Sequence, residues 1–172
     1  MKSLTTVTLP EGLTEIGAYA FEGPYASPGN RNLIAINKLP STLTSLGEQC
    51  FAKSHICITS LPNKLLTLPR RCFYSCPDIR IDIFGSSEGI SLTEIGEECF
   101  EDSGGSAGKI ERIYLRRSVV KLGKECFRLY GGTSGVDYLL TELSENDPNR
   151  QSWDKVSIFG KEDVIIDTWN GN

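Results

Sequence analysis

"LTEIGAYAF" at residues 13–21 and "LTEIGEECF" at residues 92–100 open on the same five letters and close on the same Phe. Three more stretches keep the pattern: "LTSLGEQCF" (43–51), "LLTLPRRCF" (65–73) and "VVKLGKECF" (119–127). Their closing residues, Phe21, Phe51, Phe73, Phe100 and Phe127, fall 30, 22, 27 and 27 residues apart. Self-similarity at such a period marks a chain built of stacked units, each too small to bury its own apolar face. Ahead of each phrase runs an alternating stretch: "LTTVTLP" (4–10), "LIAINKLP" (33–40), "ICITSLP" (56–62), "IRIDIF" (79–84) and "IERIYL" (110–115). Alternation with β-branched residues predicts a short, half-buried strand. Pro10, Pro40 and Pro62 stop that strand, since proline cannot donate to a sheet.

One unit therefore reads as a strand, a turn, a second extended piece, a sharp bend at Gly and a brief helical turn. Gly17, Gly47, Gly96 and Gly123 stand at the bend, and Pro69 replaces Gly in the third unit, which predicts a different turn there. The residue before each Phe is Ala20, Cys50, Cys72, Cys99 or Cys126. All are small and apolar, and a free Cys packs as a small hydrophobe. These four cysteines are expected to form a buried, reduced, metal-free ladder, Ala20 filling the same slot without a partner.

Composition narrows the function. The chain has 172 residues, enough for a sizeable core. Net charge is −4 with a pI near 5.1, the wrong balance for a general nucleic-acid binder. No apolar run reaches the roughly 18 residues of a membrane helix, and "KSLTTVTLP" after Met1 lacks the apolar core of a signal peptide. The expectation is a protein kept inside a cell, or in a particle assembled there, unless the chain is a piece of a surface protein. No C-x2-C pair occurs; Cys72 and Cys76 are the nearest, and His55 is the sole histidine. Neither a zinc site nor a catalytic set is expected. "SGGSAG" and "GGTSG" are Gly-rich, but neither follows a strand and opens a helix, so no phosphate or cofactor site is read there.

The phrase L-x-x-V-x-L-P-x-x-L-T-x-I-G-x-x-A-F resembles the BspA-type leucine-rich repeat, over residues 4 to about 130. The departures are Pro69 for Gly and Arg116 where Pro would follow the strand. The resemblance implies a right-handed α/β solenoid with short parallel strands and short helical turns, and a non-enzymatic role in adhesion or protein binding. The domain reading is a leucine-rich-repeat solenoid of about five coils over residues 1–135 and a C-terminal cap over 136–172. In the cap, "KVSIF" and "DVIID" split by "GKE" suggest a β-hairpin. Trp153 and Trp169 would close the last coil, or mark a partner site.

Three surfaces could carry recognition. The loops after each Phe vary in length and should gather on one edge; Tyr25, Arg31, Tyr74 and Tyr130 lie there. The outward strand positions, with Thr6, Thr8, Asn37, Thr59, Arg80, Asp82, Arg112 and Tyr114, should form a polar strip suited to a protein or a glycan, or simply a solvated face. The first strand, with Leu4, Val7 and Leu9, should stand at a bare edge that docks another chain or a second copy. Charges one repeat apart, Glu94 with Lys121, Glu97 with Lys124 and Glu101 with Arg128, read as an inter-coil ladder rather than patches for a partner. Two functional classes follow: a recognition module such as an adhesin, or a structural part of a larger assembly such as a phage particle.

Overall fold

The computed structural model describes residues 6–23, 36–56, 58, 60–76, 79, 91–103, 112–128 and 138–169. The phrase is a coil, and coils stack in parallel register. Strand β1 (Glu15–Ile16) pairs with β2 (Ser45–Leu46). Strands β3 (Thr67–Leu68), β4 (Glu94–Ile95) and β6 (Lys121–Leu122) form one parallel ladder, with Thr67, Glu94 and Lys121 side by side. On the other strand row, Ile36 bridges Ile56 in parallel. Further along that row, β5 (Arg112–Leu115), β7 (Tyr138–Thr141) and β8 (Ile165–Thr168) form a second three-stranded parallel sheet. Alternation decides which way each residue faces: Ile16, Leu46, Leu68 and Ile95 point into the core beside outward polar neighbours.

The expected helical turn after the Gly is not a helix. Tyr19, Gln49, Arg71, Glu98 and Glu125, each two residues before the Phe, have φ between 53 and 59°. Lys53, Ser75 and Asp102, two after it, are also left-handed. A helix needs consecutive right-handed residues; here successive N–H groups alternate instead. Cys50, Ala52 and Ser54 donate within their own coil to Gly47, Gln49 and Phe51 carbonyls. Between them, Gln49, Phe51 and Lys53 donate to the next coil at Arg70, Cys72 and Tyr74 carbonyls, 3.1, 3.0 and 2.7 Å away. The left-handed residues persist because these bonds hold them from both sides.

Inside the arc the rings stack as the spacing predicts. Phe21, Phe51, Phe73, Phe100 and Phe127 lie 5.7, 5.6, 5.3 and 5.6 Å apart in near-parallel pairs. Cys50, Cys72, Cys99 and Cys126 are fully buried and form no disulfide, the Cys50 and Cys72 thiols sharing a hydrogen bond at 3.5 Å. Ala20, in the same slot, is exposed, because coil one has no coil described before it. A second ladder of small residues, three after each Phe, joins Ser54, Cys76 and Ser103: Cys76 N–H donates to Ser103 Oγ at 3.1 Å and its thiol to the Phe51 carbonyl at 3.0 Å.

Pro69 leaves the turn intact, contrary to the sequence expectation: Cys72 N–H donates to the Pro69 carbonyl at 3.2 Å, as Cys50 does to Gly47. What changes is the ladder. Gly47, Gly96 and Gly123 each donate to the preceding coil, at 2.7, 2.8 and 2.7 Å. Proline has no N–H, and β2 and β3 fall into separate ladders. The glycines are needed for proximity rather than for a sharp bend. A Cβ on Gly47, Gly96 or Gly123 would lie 2.1, 2.8 or 2.4 Å from backbone of the coil before it.

The C-terminal segment corrects the hairpin reading. "KVSIF" is a helix, α2 (Lys155–Phe159), started by the Asp154 side chain and ended by Gly160 in the left-handed conformation. A shorter helix, α1 (Pro148–Gln151), precedes it, with Asp147 as its N-cap. "DVIID" supplies β8, which pairs in parallel with β7. The segment thus continues the stack by different means. Phe159 adds a sixth ring, 5.9 Å from Phe127, and the Ser157 and Ile158 carbonyls accept from Glu125 and Phe127 as an ordinary coil would.

Candidate functional site

The parallel sheet β5–β7–β8 has an inner and an outer face. Ile113, Leu115, Leu139 and Thr141 are buried beneath it. Register sets Tyr114 beside Leu140 and Asp167, and Tyr138 beside Ile165, on the outer face. Tyr138 and Ile165 are 39% and 49% exposed, where a solvated strand would carry polar side chains. The first two units keep the polar pattern, with Thr6, Thr8 and Asn37 exposed. The strip is therefore polar near coil one and apolar and aromatic near the C-terminal end.

One row further, Arg116, Glu142 and Trp169 close this face. Arg116 stands at the position of Pro10, Pro40 and Pro62 and keeps their turn, its carbonyl accepting from Val119 at 3.0 Å. Its guanidinium reaches Glu142 Oε1 at 2.8 Å and lies 5.2 Å from the Trp169 ring centre. The Tyr114 ring meets Trp169 edge-on at 5.7 Å. Burial works to raise the Glu142 carboxyl, but the Arg117 N–H and the Arg116 guanidinium outweigh it and hold the group below the usual carboxylate range. Trp153 has a different role: it is buried, with Nε1–H donating to the Val120 carbonyl at 3.3 Å. Of the two tryptophans, Trp153 packs against coil five and Trp169 faces the candidate surface.

Among the residues proposed from sequence, Tyr114 lies on this face. Arg112 is in β5, but its side chain is not described. Tyr25, Arg31, Tyr130, Arg80, Asp82, Thr59 and Leu4 lie outside the described residues. Tyr74 is on the arc edge, half-buried, with the Arg71 guanidinium 5.3 Å from its ring centre. It and Tyr114 belong to different surfaces of the coil. Trp169, read from sequence as closing the last coil or marking a partner site, lies at this face; Tyr138, Leu140 and Ile165 escaped the sequence reading, which takes residues 136–172 as a cap rather than as further strands of the same sheet. The alternation in "DYLLT" and "VIIDTW" was the available signal.

The charge ladder forms in part. Glu94 Oε1 and Lys121 Nζ pair at 2.7 Å, in register. Glu97 reaches Arg70 of the preceding coil at 4.0 Å, and Arg128 bonds Glu125 of its own coil at 3.0 Å. Glu101 sits in a carboxylate cluster with Glu98 and Glu125, their ligand atoms within 4.8 Å of one another. Burial, then the charges of Glu98 and Glu125, push the Glu101 carboxyl up. Arg71, bonded to Glu98, and Arg128 balance the cluster. Among the described residues this is the one group able to hold a metal ion. The buried thiols are poor nucleophiles: burial raises Cys72, Cys99 and Cys126 and takes Cys76 to about 12. His55 is half-buried beside the Ile36–Ile56 bridge. Among the described residues no helix is long and apolar enough to cross a membrane.

Coil one presents the third surface. Val7, Leu9, Leu13 and Phe21 are only partly buried against the core, and Tyr19 is 52% exposed.

No curated protein and no solved structure matches the chain. The family model described as "BspA type Leucine rich repeat region" matches residues 1–130 in six copies. The coils, the parallel strands and that match over most of the sequence make the chain a member of the BspA-type leucine-rich-repeat family, whose repeats generally serve non-enzymatic protein recognition.

Proposed function

We propose that the protein is a non-enzymatic recognition module that binds a protein partner through the outer face of β5–β7–β8. One observation carries this reading. A strand row that is polar at Thr6, Thr8 and Asn37 becomes aromatic and apolar at Tyr114, Tyr138, Leu140 and Ile165, with Tyr138 and Ile165 exposed and Tyr114 and Leu140 half-exposed. Contiguous exposed apolar surface rimmed by charge is where partners bind, and Tyr, Trp and Arg are the side chains that anchor them. Arg116, Glu142 and Asp167 supply the rim.

A photo-crosslinking residue at position 138, and another at exposed Leu66 on the other strand row, test this in the native setting. The expected result is a saturable crosslink from position 138 that Ile165→Lys abolishes without changing the melting temperature. Equal capture from position 66, or capture that ignores Ile165→Lys, refutes it.

A further inference from the structure

On the arc, between coils four and five, three carboxylates converge where the stacking register would be expected to pair opposite charges. Arg71 meets Glu98 one coil on, and Glu94 meets Lys121, each pair in register. Glu98 and Glu125 break that pattern. Each stands two residues before its Phe, left-handed at φ 54 and 56°. The Glu98 N–H donates to the Lys124 carbonyl at 2.8 Å, which sets the two glutamates against each other across the coil junction. Like charges so placed destabilise a stack. Glu101, three residues after Glu98, turns its carboxylate to the same spot, and one oxygen from each of the three lies within 4.8 Å of the others.

Glu101 carries the second observation. The residue is only 4% exposed, yet among the described residues no hydrogen bond or ion pair reaches its side chain. The nearby guanidiniums are engaged with other groups. Arg71 Nε bonds Glu98 Oε2, and Arg128 Nη1 donates to Glu125 Oε1 at 3.0 Å. Arg70 is divided among Glu48, Glu97 and Glu98 at 2.8, 4.0 and 3.6 Å. Balanced by Arg71 and Arg128, the three carboxylates still hold one negative charge, and the most buried of them is the one without a donor. The Glu98 and Glu125 side chains are themselves only 12% and 22% exposed, so the group is not a solvated acidic patch. A carboxylate taken out of water with no donor is strongly unfavourable until a cation meets it.

The donor set says which cation fits. All three ligands are carboxylate oxygens, with no imidazole or thiolate among them, which suits a hard ion. Calcium binds oxygen at about 2.3–2.6 Å, so oxygens on opposite sides of it lie about 4.6–5.2 Å apart. Three oxygens within 4.8 Å of one another can therefore all reach one such ion. Magnesium, at about 2.0–2.1 Å and strictly octahedral, fits that span less well. We infer that Glu98, Glu101 and Glu125 form a site for one calcium ion that clamps coil four to coil five. The ion supplies the counter-charge that Glu101 lacks and separates Glu98 from Glu125. This site is independent of the outer face of β5–β7–β8.

The probe is calcium chloride, titrated into the full chain after chelator treatment. Calorimetry should show one saturable site with a Kd of about 10⁻⁴–10⁻³ M, the range of weak oxygen-only calcium modules. About 10 mM calcium should then raise the melting temperature by about 3–10 °C, and sodium chloride at matched ionic strength should not. In metal-free buffer at neutral pH, Glu101→Gln should melt no lower than wild type, because it removes the unpaired charge. The same variant should weaken calcium binding at least about tenfold and lose the rise in melting temperature. Glu125→Gln, on the other coil, should weaken binding likewise. Glu97→Gln, at the exposed neighbour of the cluster, should bind calcium as wild type does. Four results overturn the inference: no saturable calcium binding, an equal rise with sodium chloride, binding unchanged in Glu101→Gln, or binding lost equally in Glu97→Gln.

Discussion

Phe100→Ala is the sharpest test of the stacked core. The ring is fully buried, with Phe73 at 5.3 Å and Phe127 at 5.6 Å, so both faces are covered. A buried Phe removes about 150–250 Å² from water, which at about 25 cal/mol per Å² sets an upper bound of about 4–6 kcal/mol. Large aromatic truncations in cores cost about 3–5 kcal/mol once partial relaxation is included, and about 4 is expected here. Phe21 has one ring neighbour in the column and is only partly buried, so Phe21→Ala should cost about half as much. Urea unfolding followed by the fluorescence of Trp153 and Trp169, and in parallel by circular dichroism, gives both losses. Those tryptophans lie beyond coil five, so coincident curves show that the stack unfolds as one unit. A loss for Phe100→Ala no larger than for Phe21→Ala would mean the column does not carry the stability assigned to it.

Three further outcomes follow from the same geometry. The folded Glu101 carboxyl titrates above its unfolded value, so its contribution to stability is full below the unfolded pKa and is lost as pH rises through the folded one; Glu101→Gln should therefore gain on wild type from pH 4 to pH 8 in melting experiments, and a flat difference would show no such shift. Cys50, Cys72, Cys76, Cys99 and Cys126 should react with a thiol reagent only at the rate of unfolding, and rapid labelling of any of them in the native protein would contradict their burial. Gly123→Ala places a Cβ 2.4 Å from the Glu97 nitrogen and should cost about 2 kcal/mol or more in urea unfolding, whereas an unchanged midpoint would show that coils four and five can separate freely.

The repeat was legible because one-dimensional spacing and stacking register are the same quantity in a solenoid. Phe73, Phe100 and Phe127 lie 27 residues apart and stack; Glu94 and Lys121, also 27 apart, pair. The fate of Cys50, Cys72, Cys99 and Cys126 could be read from Ala20 in the same slot. The backbone of the arc could not. "GEEC" is as good a helix start as a turn, and only the carbonyls of the next coil, accepting from alternate N–H groups, make Glu98 left-handed. Helix or strand was likewise undecided for "KVSIF", five residues whose conformation is set by the Asp154 cap and by Phe159 finding Phe127. Pro69 was visible as a departure, but its effect was not, since a missing N–H matters only where a partner carbonyl waits. Tertiary structure alone brought Tyr114, Arg116, Glu142 and Trp169 together, from segments up to 55 residues apart that share no repeat phrase. Their meeting depends on β7 and β8 joining β5 in register, a choice made by the buried side chains beneath the sheet rather than by any letter on its outer face.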